Sequence, residues 1–115
     1  MATKVKVVKD VAVLSVSGKL MGGHETWAVH EKVKSLIADG ITKIVIDLAK
    51  VKWLNSQGLG MLMASHTSLK KIKGDFKIAG ATEKVNSLFM ITKLITIFDT
   101  HATTEEAVAE FSKQA

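Results

Sequence analysis

The chain has 115 residues, of which 47% are hydrophobic and 23% charged, with a formal net charge of +5. That length gives one domain, residues 1–115, with a core of its own, and excludes two domains or a large enzyme fold; the composition excludes disorder. The absence of cysteine removes disulfide scaffolds, thiolate zinc sites and cysteine nucleophiles together.

All sixteen basic residues are lysine. Arginine supplies the bidentate fork that reads guanine and clamps phosphate, so its absence argues against direct nucleic-acid recognition more than the charge argues for it. The opening "MATKVKVVKD" alternates lysine with valine and has no continuous apolar segment of the kind that directs secretion. No apolar stretch approaches the length that crosses a bilayer, so a cytoplasmic protein without membrane insertion is expected.

In chain order, the valines at 5, 7, 11 and 13, with Leu14 and Val16, predict two strands joined as a hairpin around Lys9-Asp10. "SGKLMGGHETW" reads as a glycine-rich loop. From about Glu25, Val29, Val33, Leu36 and Ile37 fall at helical spacing until Asp39-Gly40 stops the helix. "KIVIDL", residues 43–48, is a β-branched run suited to a strand buried on both faces. After it, Leu59, Leu62, Met63, His66 and Leu69 form a second helical stripe closed by Gly74. Lys70, Lys71 and Lys73 there complement the negative end of the helix dipole. "FKIAG" predicts a short strand, and Thr82 caps a helix running through Leu88 and Phe89. "LITIF", residues 94–98, predicts another strand, and Thr103 with Glu106 forms a T-x-x-E capping box for the last helix. The resulting order, ββαβαβαβα, predicts an α/β domain: a mixed, mostly parallel sheet with an N-terminal antiparallel hairpin and about four helices.

"VKWLNSQGLG", residues 51–60, is the most informative stretch, because it joins a buried strand to a helix through polar residues. In open parallel sheets, ligands and partners meet the loops at the carboxyl ends of strands, where this turn falls. Asn55 or Ser56 suits the helix cap, and Gly58 and Gly60 permit close backbone approach. Trp53 and Met61 read as packing residues unless exposed. Catalytic alternatives fail on spacing. Leu54 stands two before Ser56 where a nucleophile elbow needs glycine, and Gly58-Leu-Gly60 lacks the third glycine of a dinucleotide fingerprint. "GKL" at 18–20 lacks the P-loop tail, and His24, His30, His66 and His101 lack metal-ligand spacing. No acid–base pair or activated nucleophile can be assembled, so no enzyme activity and no cofactor are expected.

The whole context, "IVIDLAKVKWLNSQGLGMLMASHTSLKK", resembles the STAS family, the domain of anti-sigma factor antagonists. Members have a strand ending in Asp-Leu, an aromatic-hydrophobic pair, a D-S-x-G-L-G-like turn and then this helix. The opening hairpin, "SGKL", "FKIAG" and "TTEEAVAEF" follow in family order, so the resemblance covers essentially the whole chain. It implies transcription regulation by binding: the unmodified protein docks on an anti-sigma factor that is also a serine kinase, freeing a sigma subunit. Phosphorylation of the motif serine prevents docking, and a serine phosphatase restores it. Carried over by position, the phosphorylated residue is Ser56. The docking turn comprises Trp53, Leu54, Asn55, Ser56, Gln57, Gly58, Leu59 and Gly60, with Trp53 and Leu54 as the hydrophobic pair that shapes it. The residue before the serine is commonly aspartate in the family; Asn55 keeps its size and cap but removes a charge, which weakens contact with a basic residue of a partner kinase. Other STAS domains are adaptor subunits, without phosphorylation, of stress-signalling assemblies or membrane lipid transporters.

Overall fold

The computed structural model describes residues 2–113, so the outermost residues of the 1–115 domain, at 1, 114 and 115, lie outside the described ones. The opening valine alternation forms a hairpin of β1 (Ala2–Val8) and β2 (Val11–Leu20), turned by Lys9 and Asp10 as expected. There follow α1 (Gly23–Ala38), β3 (Lys43–Leu54), α2 (Ser56–Lys71), β4 (Asp75–Ala79), α3 (Glu83–Ile91), β5 (Asp99–His101) and α4 (Thr104–Lys113). The five strands lie in the order β1-β2-β3-β4-β5, antiparallel between β1 and β2 and parallel elsewhere.

A sheet that grows in one direction by crossovers of one hand puts its crossover helices on one face. Accordingly α1, α2 and α3 bury Val33, Leu62 and Phe89 against Leu14, Ile46 and Ile78 of the sheet. On the other face α4 covers a smaller core, with Ala107 and Phe111 over Val13, Val45 and Ala79. The β-branched run in β3 serves both cores: Ile44 and Ile46 face one and Val45 the other, all fully buried.

Three expected boundaries differ. The strand beginning with "KIVIDL" does not end at Leu48 but runs to Leu54, because β2 also extends, pairing Gly18 with Val51, Lys19 with Trp53 and Leu20 with Leu54. For the same reason "SGKLMGGHETW" is not a loop: only Met21 and Gly22 separate β2 from α1. "LITIF" is not a strand. Lys93 adopts a left-handed conformation (φ 64°), Leu94–Thr96 form a single 3-10 turn, and Leu94 and Ile95 pack on the core. Strand pairing with β4 comes only afterwards, at Asp99–His101.

Candidate functional site

The junction of β3 and α2 is a single residue wide. Asn55 adopts an extended conformation (φ −107°, ψ −169°) and its Oδ1 accepts from the amides of Gln57 (3.0 Å) and Gly58 (3.1 Å). Its Nδ2 donates to the Met21 carbonyl (2.9 Å), and its own amide donates to the Leu20 carbonyl (3.2 Å). Asn55 is therefore both the cap of α2 and a clamp on the end of β2. The clamp suits asparagine better than aspartate: a carboxylate could accept from the two amides but could not donate to Met21.

Because Asn55 caps the helix, Ser56 does not. Ser56 is the first helical residue; it is exposed, and its hydroxyl has no hydrogen-bond partner among the described residues. Among the amides that open the helix, those of Gln57 and Gly58 go to Asn55 Oδ1 and that of Leu59 to the Asn55 carbonyl. Only the Ser56 amide is left. A phosphate on Ser56 would feel the favourable helix dipole but would find few free amides to draw it into the domain.

The residues of the turn divide by burial. Ser56, Gln57 and Gly60 are exposed, Trp53, Asn55 and Leu59 half-buried, and Leu54 and Gly58 buried. Leu54, fully buried among core residues, can serve docking only by holding the turn in place. Gly58 is required by close approach: a Cβ there would lie 2.5 Å from the Leu20 carbonyl oxygen and 2.9 Å from Leu54 Cβ. Gly60 is different. A Cβ at Gly60 would meet nothing within 4 Å, so close backbone approach does not explain it; it leaves bare helix surface beside the turn.

The structure also gathers apolar surface that the motif does not announce. Trp53, two residues before the cap, lines a groove of about 520 Å³ with Glu83, Lys84, Ser87, Leu88 and Ile91, and Lys84 Nζ lies 5.7 Å from the Trp53 ring centroid. Ile91 is 78% exposed and its neighbour Met90 60%. On the other side of the turn, Met21 and Trp27 are exposed, and the Gln57 carboxamide lies against Gly22. In "VNSLFMI" the stripe of α3 consists of Val85 and Phe89, so Met90 and Ile91 were legible as apolar residues off the buried face. Met61 is buried, as expected of a packing residue, and His66 stands at the core boundary, edge-on to Phe76 and Phe98 with centroids 6.0 Å away. Desolvation, with Lys70 adding a little, holds its imidazole below the ordinary value of 6.5. Among the described residues no group of three potential metal ligands converges, and no helix is long and apolar enough to cross a membrane.

The profile of the STAS domain matches residues 2–107. The chain belongs to the STAS domain family. Among solved structures, an anti-sigma factor antagonist from Mycobacterium paratuberculosis is 29% identical, with a TM-score of 0.81 over 95% of this chain and 92% of that one. The Bacillus cell-fate determinant SpoIIAA in its phosphorylated form superposes with a TM-score of 0.74 at 20% identity, over 96% and 99% of the two chains. A sulfate transporter family protein from Wolinella succinogenes does so with a TM-score of 0.72 at 13% identity, over 91% and 87%. This STAS domain thus has the fold of anti-sigma factor antagonists, and because a transporter-family protein shares that fold, the fold by itself does not choose between their roles.

Proposed function

We propose that this STAS domain is an anti-sigma factor antagonist that works by partner switching. It docks through the Asn55–Gly60 turn on an anti-sigma serine kinase while Ser56 is unmodified, and it is released when that kinase phosphorylates Ser56. The observation that carries this reading is the division of labour at the turn: Asn55 takes the whole capping role, leaving the Ser56 hydroxyl exposed and unengaged. A phosphate there adds about −1.5 to −2 charges without breaking a bond the fold uses. The partner face must then bury a dianion beside Trp53 and Leu59, which costs several kcal/mol unless it is paired. Binding is lost while the domain stays folded.

The exposed groove at Trp53, Leu88 and Ile91 supports this reading, since apolar surface beside a modifiable residue makes affinity sensitive to the modification. The test is binding of the cognate kinase to the unmodified chain and to Ser56→Ala, Ser56→Asp and enzymatically phosphorylated forms, with the phosphorylation site mapped by mass spectrometry. The kinase should modify Ser56, bind the first two forms and lose the last two. A stable complex indifferent to Ser56→Asp and to phosphorylation would overturn the switch and leave the turn as the docking element of an adaptor subunit.

A further inference from the structure

β1 is the edge of the sheet, and its composition is not that of a simple protective edge. Among the described residues it pairs only with β2, in unbroken register from Ala2 opposite Ser17 to Val8 opposite Val11. Every second amide and carbonyl along its outer side is therefore aimed at solvent. The register fixes its two faces. Lys4 and Lys6 stand opposite Ser15 and Val13, on the α4 side of the sheet, whereas Val5 and Val7 stand opposite Leu14 and Ala12, on the side of the main core. Val5 is 37% and Val7 55% exposed, so the core layer ends at this edge with two uncovered β-branched side chains. Lys4 and Lys6 are exposed and form no ion pair among the described residues; Glu105 contributes only a longer-range attraction to Lys6.

We propose that this edge accepts an extended segment of another protein in which acidic and apolar residues alternate, adding it as a sixth strand. Backbone pairing would supply affinity, carboxylates would lie beside Lys4 and Lys6, and apolar side chains would cover Val5 and Val7. Charge selects this occupant over a second copy. Two β1 strands paired antiparallel about Val5 would set Lys4 of each beside Lys6 of the other, and like charges directly opposite one another destabilise a strand pair. Edge lysines are a common barrier to self-association, but the other protective devices are missing: β1 has no proline and no bulge. The lysines thus reject the chain's own edge and admit an acidic one, which is specificity by repulsion.

The proposal is independent of partner switching, since β1 and the Asn55–Gly60 turn are separate. The test titrates the 115-residue chain, isotopically labelled, with a capped peptide of about eight residues alternating glutamate and valine, the length of a typical edge pairing. Amide shifts should centre on residues 2–8 and the facing residues of β2, weaken with added salt, and vanish for the same peptide with lysine in place of glutamate. Lys4→Glu with Lys6→Glu, both exposed substitutions that leave the cores untouched, should weaken the acidic peptide by about tenfold or more, and Ser56→Asp should leave its binding unchanged. Absence of β1 shifts at about 1 mM peptide would overturn the proposal. So would affinity unchanged by the double reversal, or shifts centred on the Trp53 and Ile91 groove.

Discussion

Truncation of Asn55 to alanine removes three hydrogen bonds at once: two from the helix amides of Gln57 and Gly58, and one to the Met21 carbonyl. Loss of an N-cap costs about 1 kcal/mol, and loss of a further neutral hydrogen bond, here an exposed one to the Met21 carbonyl, at most about 1 more. The sum, at most about 2 kcal/mol, corresponds to a drop in Tm of up to roughly 8 °C for a domain of this size, taking an unfolding entropy of about 2.1 cal/mol/K per residue. Two companion variants isolate the parts. Asn55→Asp keeps the cap and gains from the helix dipole but loses the donor to Met21, so it should fall between wild type and Asn55→Ala, within about 1 kcal/mol of wild type. Ser56→Ala removes a hydroxyl with no partner and should change stability by no more than about 0.5 kcal/mol. Urea unfolding of the four proteins, followed by circular dichroism with slopes held in common, measures all of this. If Ser56→Ala costs more than Asn55→Ala, Ser56 is the cap, and its hydroxyl is not spare for modification.

The two glycines of the motif should respond in opposite directions. Gly58→Ala drives a methyl into the Leu20 carbonyl and should destabilise by about 1–3 kcal/mol, whereas Gly60→Ala, in an exposed helical position with open space around it, should stabilise by about 0.5–1 kcal/mol in the same unfolding assay. Acidification should weaken the fold through His30 and His66. Burial lowers both imidazoles below 6.5, with Lys34 acting against His30 charging and Lys70 against His66. The unfolded chain then binds more protons than the native one, so stability is highest above about pH 6.5 and falls from there down to the depressed native values, where the loss levels off. His66→Gln should flatten that fall in urea unfolding carried out at stepped pH; an unchanged slope would mean the imidazole is not desolvated. Ile91→Glu, at a position 78% exposed, should leave Tm within about 2 °C of wild type and, on the proposed function, weaken binding to the anti-sigma kinase by about tenfold or more, measured by calorimetry.

What local chemistry decides was readable before the structure. Thr82 accepts from the Val85 amide at 3.3 Å and Thr103 from the Glu106 amide at 3.1 Å, as their spacing to the following helices implied. The buried strand at 43–48 and the helical stripes also stand where periodicity placed them. What depends on a distant partner was not readable. Nothing within residues 49–54 says that β3 continues, because its pairing there comes from Ser17 to Leu20, more than thirty residues earlier. "LITIF" has the composition of a strand, but α3 ends at Ile91 and the chain must first turn back, so those residues cover the core as a turn. The stop after α2 shows the same limit. The left-handed residue is Lys73 (φ 60°), and Gly74 is glycine because the Thr42 carbonyl would lie 2.5 Å from a Cβ. At the site, sequence narrowed the cap to Asn55 or Ser56; the choice between them required the Met21 carbonyl, which only the fold brings within reach.

That choice has a consequence for how a switch can be built into so small a domain. If the modified serine were itself the cap, phosphorylation would alter a bond that holds α2, and the energy of the switch would be divided between the fold and the partner. With Asn55 tied to Met21 on one side and to the first turn of α2 on the other, the helix start is fixed independently of the neighbouring hydroxyl. Gly58 reinforces this by letting the helix sit directly on the Leu20 carbonyl. The added charge then acts almost wholly on whatever covers Ser56. On the proposed function, a domain whose folding and switching residues are adjacent yet separate could be modified and restored repeatedly with the same backbone. The corresponding signature is a phosphorylated form with an unchanged β2–α1 and β3–α2 junction and a Tm within about 2 °C of the unmodified protein. A larger shift in either direction would show that the phosphate is bonded into the domain and not left at its surface.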